Sequence, residues 1–249
     1  MTNPPSKLPR LLVLLGSGPG IGVSVASRFA QGHFSAVALV ARNGEQLSKD
    51  RATVLSAAAE AGREVEVRTW QADIGDLDLL YKTLREIEAF GAVECVYFNA
   101  ARVGPSELLE FPVEGIDRDF RVSALALYAT ARWAMPLLLQ NSSGREDWNP
   151  AFLVTSSLLP VSPFPDWFAL SMTKAAQSNL MKSLEKAFSP QGIHVGLVVV
   201  WGMVSPDSTA LNPGNIAEQA WKLYSQKKEE WTAQVTIYDD GRVGWEDTI

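Results

Sequence analysis

The sequence predicts a single α/β domain, built as a doubly wound parallel sheet of about seven strands in a Rossmann-type arrangement. Strand-like and helix-like segments alternate along the whole chain, which is typical of βαβ units. Several of the strand-like runs are apolar at every position, as expected for strands covered by helices on both faces. At 249 residues and 47% hydrophobic content, the chain is large enough for one well-buried domain.

The first strand is predicted at Arg10–Leu15, and a helical pattern begins directly after the glycine-rich turn that ends it. Asp76 is a plausible N-cap for the third helix, and Gly62 is a typical residue after the end of the second. The remaining elements predicted in this half of the chain are a strand at 36–41, a helix at about 45–61, a strand at 64–71, a helix to about 90 and a strand at 93–98.

The second half continues the alternation. Residues 141–150 are polar and are expected to form a surface loop, and Asp239 and Asp240 are expected to form a turn before Gly241. The predicted elements are a long helix at about 116–140, a strand at 151–155, a long helix at about 168–188, a strand at 192–201, a loop at 205–214, an amphipathic helix to about 230 and a last strand at 233–238.

Composition and charge exclude several classes of function. The net charge is −6 and no cluster of lysine and arginine occurs, so we expect neither nucleic acid nor a membrane as a partner. No apolar run approaches the length that spans a bilayer. The single cysteine, Cys95, is predicted to be a small buried hydrophobe, and a reduced, cytoplasmic protein is expected. His33 and His194 have no ligand-type neighbours at suitable spacing, so no metal site is predicted.

The glycine-rich turn after the first strand is a candidate phosphate site. Glycines allow the backbone to turn sharply and to approach a ligand closely. The free N–H groups at the start of the following helix, and the positive end of its dipole, favour an anion. The turn therefore predicts a nucleotide at the carboxyl ends of the strands.

Six short motifs, in order along the chain, resemble those of the short-chain dehydrogenase/reductase family. The matched motifs are Gly16-x-x-x-Gly20-Ile21-Gly22, Asp73-Ile74, Asn99-Ala100-Ala101, Ser156-Ser157, Ser171-Met172-Thr173-Lys174, and Trp201-Gly202-Met203-Val204. The resemblance covers essentially the whole chain and implies an NADP(H)-binding domain at 10–249, preceded by a flexible N-terminus at 1–9. It also implies a substrate lid at 205–230 and a homo-oligomer, a dimer or a tetramer.

The same resemblance assigns the residues that bind the cofactor. Lys174 matches the lysine that holds the nicotinamide ribose in that family. The residues expected to contact NADPH or NADP⁺ are Gly16, Ser17, Gly20, Ile21, Arg42, Asn43, Asp73, Ile74, Asn99, Ala100, Lys174, Gly202 and Val204. The second strand ends in neutral Ala41 and is followed by Arg42, whose guanidinium suits a 2′-phosphate; NADP(H) is therefore favoured over NAD(H).

The family's proton donor is missing from its expected place. A tyrosine normally stands four positions before the lysine, and counting back from Lys174 gives Leu170, which has no ionisable group. Ser157 matches the family's serine, whereas Ser123 stands where a helix asparagine is usual. The cofactor half of the site is thus predicted to be present and the acid half to be absent.

Three interpretations remain open. The first is an enzyme that reduces a cyclic imine or iminium, which needs no acid; the second is a carbonyl reductase with Ser157 and water, or Asp166, as a substitute donor. The third is a non-catalytic NADP(H)-binding protein. Asp166 is either a carboxylate that stabilises a cationic substrate or an N-cap of the following helix. Candidate catalytic residues are Asp166, Lys174 and Ser157, and candidate substrate-binding residues are Trp167, Leu170 and Arg132.

The missing tyrosine and the loop Pro163–Phe168 are similar to features of a small group of fungal family members. That group uses NADPH to reduce a cyclic iminium in indole-alkaloid pathways and shapes its pocket for an intramolecular Diels–Alder closure. The resemblance implies an aromatic or polycyclic small-molecule substrate and a possible cyclase activity, since a pocket can accelerate closure by holding the reacting groups together.

Overall fold

The apolar runs of the sequence form the strands of one eight-stranded sheet in the computed structural model, which describes residues 8–249. The strand order is β3-β2-β1-β4-β5-β6-β7-β8, and every neighbouring pair is parallel except β7 and β8. The strands are β1 (Arg10–Leu15), β2 (Ala36–Ala41), β3 (Glu66–Gln71), β4 (Ala92–Phe98), β5 (Ala151–Ser157), β6 (His194–Trp201), β7 (Gln234–Tyr238) and β8 (Val243–Glu246).

Helices cover both faces of the sheet, as the doubly wound prediction requires. They are α1 (Ile21–Gly32), α2 (Gly44–Glu60), α3 (Leu77–Glu88), α4 (Val113–Phe120), α5 (Ala126–Ser142), α6 (Phe168–Phe188) and α7 (Pro213–Tyr224). A π-helical turn, Arg121–Leu125, joins α4 to α5, and short 3-10 turns lie at Ser189–Gln191 and Lys228–Glu230.

The core has two layers, one on each side of the sheet. One layer packs α3, α5 and α6 on the sheet, through side chains such as Leu84, Leu127 and Met181. The other packs α1, α2 and α7, through side chains such as Phe29, Val54 and Leu223. Because strand side chains alternate between the two layers, the runs 11–15 in β1 and 36–41 in β2 are apolar throughout, whereas β4 contains one buried acid, Glu94. Cys95 is fully buried in the second layer, as predicted.

The largest differences from the sequence prediction are in the helix at 116–140, the last helix and the end of the sheet. The predicted helix at 116–140 is interrupted by the π-helical turn, and the last helix ends at Tyr224 instead of near residue 230. The charged segment Lys228–Glu230 continues the amphipathic pattern but forms only a 3-10 turn. An eighth strand, Val243–Glu246, was not predicted, because four residues containing a glycine give no strand signal.

The expectation that no segment is apolar enough to span a bilayer is wrong by the criterion of length and composition. The continuous helix Val113–Ser142 passes that test, with half of its most apolar window buried inside the domain. Its buried side chains contribute to the core layer that contains α3 and α6. The helix is therefore a core helix of this domain.

The sequence predicts a flexible N-terminus at residues 1–9. Residues 1–7 of that segment lie outside the described residues. Pro9 is attached to the sheet, since its carbonyl oxygen accepts a hydrogen bond from the Ala92 N–H at 2.9 Å. Pro9 is therefore held to the sheet by a backbone hydrogen bond.

Candidate active site

A large cavity opens at the carboxyl ends of the strands, where the strand order reverses. β1 lies between β2 and β4, so the crossovers that follow β1 and β4 leave the sheet in opposite directions. Ligands of open α/β sheets bind in the crevice that this arrangement creates. The cavity has a volume of about 1960 Å³ and is bordered by the segments that follow the seven parallel strands β1 to β7.

The glycine-rich turn is shaped by two close approaches and two open positions. Gly16 has φ of +92°, and a Cβ there would lie 2.5 Å from the Ala100 nitrogen. A Cβ on Gly22 would lie 2.5 Å from the Gly16 carbonyl oxygen. By contrast, nothing lies within 4 Å of a Cβ built on Gly18 or Gly20. The turn is packed against the protein on one side and leaves free space in front of α1, which suits a diphosphate.

The end of β2 lies beside this turn. The N–H groups of Gly16 and Ser17 both donate to the Val40 carbonyl oxygen, at 2.9 and 3.1 Å. Arg42 and Asn43 follow β2 and line the cavity, and the Arg42 side chain is exposed. The Asn43 side chain caps α2 by accepting from the Gln46 N–H at 3.0 Å. Arg42 and the start of α2 therefore present a positive side chain and helix N-terminal N–H groups to this end of the cavity, an arrangement that suits an anionic group.

The ends of β3 and β4 complete the nucleotide side of the cavity. The Asp73 carboxylate accepts from the Gly75 N–H at 3.0 Å, and Ile74 is buried beside it. The Asn99 side chain donates to the Gly16 carbonyl oxygen at 3.0 Å, which ties β4 to the glycine-rich turn. All the residues predicted to contact the cofactor line this cavity.

Lys174 lies on the wall of the cavity formed by α6. Its side chain is buried, and its Nζ donates to the Thr155 carbonyl oxygen at 2.7 Å. Burial without a carboxylate partner lowers the pKa of Lys174 to about 8. The cavity therefore contains an amine that titrates near neutral pH, at the place where the family's lysine holds the nicotinamide ribose.

Leu170 lines the cavity one helical turn before Lys174. Within residues 8–249, no tyrosine, histidine or cysteine lines the cavity. Tyr97 accepts a hydrogen bond from the Thr155 hydroxyl at 3.0 Å, but it is fully buried in the other core layer. Burial also raises the pKa of Tyr97 well above its usual value, which makes it a poor proton donor.

Ser157 and Ser123 occupy different positions relative to the cavity. Ser157 lines it, and its hydroxyl accepts from the Leu159 N–H at 3.3 Å. Ser123 is buried in the π-helical turn, and its carbonyl oxygen accepts from the Gln177 side chain at 2.7 Å. Such turns free a carbonyl oxygen from the helix and are frequent at functional sites.

Asp166 and Trp167 both line the cavity, from the loop that precedes α6. The alternative that Asp166 is the N-cap of α6 is wrong, because Trp167 occupies that position. The Trp167 side chain makes no capping hydrogen bond. The capping acceptor is the Ser106 hydroxyl, which accepts from the Ala169 N–H at 3.1 Å. The Asp166 side chain is exposed at the rim and free of this structural role.

Arg132 is the one predicted site residue that the structure does not bring to the cavity. It is exposed on α5 and absent from the lining, and its neighbour Trp133 donates to Glu88 at 3.2 Å. The sequence interpretation missed a different arginine, Arg102. The Nε of Arg102 donates to both oxygens of buried Asp119, at 2.7 and 3.0 Å, and both residues line the cavity. No sequence spacing connects these two residues, which only the fold brings together.

The two histidines lie away from the cavity. His33 contacts the buried Glu94 carboxylate at 3.0 Å, and His194 contacts the Thr232 carbonyl oxygen at 2.8 Å. Burial lowers the pKa of His194 to about 4. In the described part of the chain, no group of three or more histidine, cysteine, aspartate or glutamate residues could hold a metal ion.

Comparison with known proteins identifies relatives along nearly the whole chain. The family model for short chain dehydrogenase matches residues 10–215. The chain is 27% identical over 232 residues to the 2-(R)-hydroxypropyl-CoM dehydrogenase of Xanthobacter autotrophicus, covering 91% of this chain and 88% of that one. It is 23% identical over 214 residues to the 2,5-dichloro-2,5-cyclohexadiene-1,4-diol dehydrogenase LinX of Sphingobium indicum, covering 86% and 81%.

Solved structures show the same fold. A metagenomic short-chain oxidoreductase in complex with NADP superposes with a TM-score of 0.77 at 20% identity, covering 92% of this chain and 96% of that one. An NADPH-bound short chain oxidoreductase of Pseudomonas aeruginosa PAO1, described as containing an atypical catalytic center, gives a TM-score of 0.77 at 20% identity, covering 92% and 95%. With the family match spanning most of the domain, the chain belongs to the short-chain dehydrogenase/reductase family, whose members are oxidoreductases that use nicotinamide cofactors.

Proposed function

We propose that the protein is an NADPH-dependent reductase that transfers a hydride to a cyclic imine or iminium. The observation that carries this proposal is the wall formed by α6, where Lys174 is in place and the side chain one turn earlier is that of Leu170. The cofactor side of the cavity is thus complete in its residues, and the usual acid is absent.

The fit of a nicotinamide dinucleotide rests on the glycine-rich turn. Gly18 and Gly20 leave room for a diphosphate, and Arg42 stands where a 2′-phosphate would lie. Lys174 would hold the nicotinamide ribose. The bound reduced nicotinamide supplies a hydride. NADP and NADPH in structural neighbours support the same choice of cofactor.

The chemistry of the substrate follows from the missing acid. A ketone gains a negative charge on oxygen as it accepts a hydride, and general-acid help is worth about 10²–10⁴ in rate. An iminium carbon accepts a hydride and becomes a neutral amine with no further proton required. A neutral imine enters the same reaction as its iminium form, after taking a proton from solvent. Asp166 at the rim would stabilise the cation before transfer, and Trp167 and Leu170 would contact an aromatic substrate.

The resemblance to the fungal alkaloid enzymes adds a second step to the proposal. The cavity is large enough for a polycyclic substrate, and the same walls would hold a diene and a dienophile in reacting geometry for an intramolecular Diels–Alder closure. The segment 205–230 would act as the substrate lid, since Ser208 and Leu211 in its loop line the cavity.

The alternatives differ in what they require of the cavity. A carbonyl reductase needs a substitute donor, and Ser157 with water or Asp166 are the candidates. A non-catalytic family member needs only NADP(H) binding.

Purified protein with NADPH separates these possibilities when NADPH oxidation is followed with matched substrates, for instance 3,4-dihydroisoquinoline, its N-methyl iminium salt and 1-tetralone. We expect turnover of the imine and the iminium and little turnover of the ketone. Efficient reduction of the ketone would favour the carbonyl reductase, and NADPH binding without any turnover would favour the non-catalytic interpretation. Loss of iminium turnover in Asp166→Asn, with NADPH affinity retained, would support the role of Asp166.

A further inference from the structure

Beneath the glycine-rich turn lies a buried carboxylate that the proposed reaction does not use. Asp50, on α2, is 2% exposed. Its Oδ2 accepts from the Ser17 hydroxyl at 2.6 Å, and its Oδ1 accepts from the Gln46 side-chain amide at 2.7 Å. Among residues 8–249, no lysine, arginine or histidine forms an ion pair with it.

Both donors belong to the pocket at the end of β2. Ser17 and Gln46 line the cavity together with Arg42. The Ser17 N–H is bonded to Val40, two residues before Arg42, so the Ser17 side chain stands beside the place expected for a 2′-phosphate. Serine hydroxyl and glutamine amide groups would ordinarily be phosphate donors here.

Asp50 turns these donors away from the pocket. A carboxylate only accepts hydrogen bonds, so the Ser17 hydroxyl hydrogen and one of the two Gln46 amide hydrogens must point at it. The 2.6 Å separation between the Ser17 and Asp50 oxygens is typical of a charge-assisted O–H···O⁻ bond, so this hydroxyl hydrogen is already committed to Asp50. A negative charge in this poorly screened position also opposes a phosphate dianion nearby.

We propose that Asp50 is a cofactor-specificity residue that withholds two donors from the 2′-phosphate and thereby keeps the preference for NADPH over NADH small. Arg42 remains as the side-chain donor to the phosphate. The inference rests on the proposed use of NADP(H), and it predicts a protein that binds both reduced cofactors.

The wild-type protein provides the first test. NADPH and NADH are titrated separately into the full-length protein, and binding is followed by nicotinamide fluorescence. We expect dissociation constants that differ by less than about thirtyfold, or about 2 kcal/mol. A larger preference for NADPH would overturn the inference. Failure to bind either cofactor would instead contradict the proposed function.

Asp50→Asn provides the second test. The asparagine carbonyl still accepts from Ser17, but its amide group faces Gln46, whose own amide must turn and present its N–H groups to the cavity. We expect NADPH to bind about tenfold more tightly, a change of about 1.4 kcal/mol, and NADH to change by less than about threefold. Equal changes for the two cofactors, or weaker binding of NADPH alone, would overturn the inference.

Glu45→Gln is the matched control, since it removes one carboxylate from the same helix. Glu45 is exposed, absent from the cavity lining and paired with Lys49 at 2.6 Å, so solvent screens its charge. Neither dissociation constant should change by more than about twofold. Folding of each variant is checked by circular dichroism melting, and Asp50→Ser replaces Asp50→Asn if the latter does not fold. The wild-type ratio decides the inference independently of both.

Discussion

Leu170 contributes an apolar side chain to the cavity at the position where the family has its acid. The proposed reaction needs no acid there. It is 6% exposed and lies one turn before Lys174 on α6. Its neighbours on the same wall, Trp167 and Phe164, are aromatic, so this part of the cavity is shaped for flat apolar groups. Under the proposed function, the side chain at position 170 is what separates imine reduction from carbonyl reduction.

Restoring a phenol at this position should restore ketone reduction. Leu170→Tyr directs a hydroxyl into the cavity one turn from the Lys174 ammonium, whose positive charge lowers the pKa of the phenol and so strengthens it as a proton donor. We expect kcat/KM for a ketone such as 1-tetralone to rise by about 10²-fold or more, with little change for the iminium. Leu170→Phe, which adds the ring without the hydroxyl, is the control and should give no gain. An equal gain in both variants would show that ring packing, and not proton donation, limits the wild-type protein.

Lys174 makes stability depend on pH. Burial lowers its pKa from 10.5 to about 8, so the unfolded chain binds more protons than the folded one between these values. The free energy of unfolding therefore rises with pH from about 8 to about 10.5, and below 8 the buried ammonium costs about 3 kcal/mol. Lys174→Met removes that cost. It also removes the donor to the Thr155 carbonyl oxygen, and the lost hydrogen bond lowers the free energy of unfolding by about 1 kcal/mol.

We therefore expect Lys174→Met to be more stable than the wild type at pH 7 and to lose that advantage by pH 10.5. Denaturant unfolding at pH 7, 9 and 10.5 measures the difference. Lys182→Met, at an exposed lysine on the same helix, is the control and should differ from the wild type by a constant amount. A pH-independent difference for Lys174→Met would mean that Lys174 keeps its ordinary pKa in the folded protein.

At the scale of elements, different glycines of the turn between β1 and α1 are needed for packing and for binding the cofactor. Gly16→Ala forces a Cβ to within 2.5 Å of backbone at a residue with φ of +92°, so we expect a lower melting temperature. Gly18→Ala meets no protein atom within 4 Å, so the melting temperature without cofactor should be unchanged. NADPH affinity of the Gly18 variant should fall by about tenfold or more, since the methyl group enters the space for the diphosphate.

Thermal melting and NADPH titration of both variants measure the two effects. Tight NADPH binding by Gly18→Ala would place the diphosphate elsewhere. A Gly16→Ala protein as stable as the wild type would mean that the close approach to Ala100 relaxes readily.

The elements that could be predicted from sequence are those with a strong local signal. β1, β2 and α6 were predicted with the bounds observed, because apolar runs and clear ends identify them. The π-helical turn at Ser123 and the short strand β8 depend on tertiary packing and hydrogen bonding, which leave no periodic signal.

The candidate site shows the same division. Motifs such as Asp73-Ile74 and Asn99-Ala100 could be located from sequence, because short local patterns carry them. Asp50 and the Arg102–Asp119 pair could not, since each depends on side chains brought together from distant segments. Arg132 was predicted to reach the pocket only because it lies on the long helix that follows β4. It lies on the outer side of α5 and is exposed.

At the scale of the whole molecule, the two core layers leave one apolar stripe uncovered. Leu125 and Tyr128, one turn apart near the start of α5, are 45% and 56% exposed. Met172 on the neighbouring helix α6 is 45% exposed, and the charged Arg132 is exposed one turn beyond Tyr128 on α5. Large apolar side chains grouped in this way on a folded domain mark a surface for association.

We expect this stripe to be the contact between copies in the predicted homo-oligomer. Because a stable interface buries at least about 1,000 Å² and its centre excludes charge, two buried carboxylates should prevent it from forming. Leu125→Glu combined with Tyr128→Glu should convert the wild-type dimer or tetramer to a monomer, as measured by size-exclusion chromatography with light scattering. Val113→Glu, at an apolar residue that is 74% exposed on α4, should leave the oligomer intact. A monomeric wild type at micromolar concentration, or an unchanged mass in the double variant, would exclude this surface.

The helix α6 carries both Met172 and Lys174. If packing between copies supports this wall of the cavity, the monomeric variant should bind NADPH more weakly than the wild type.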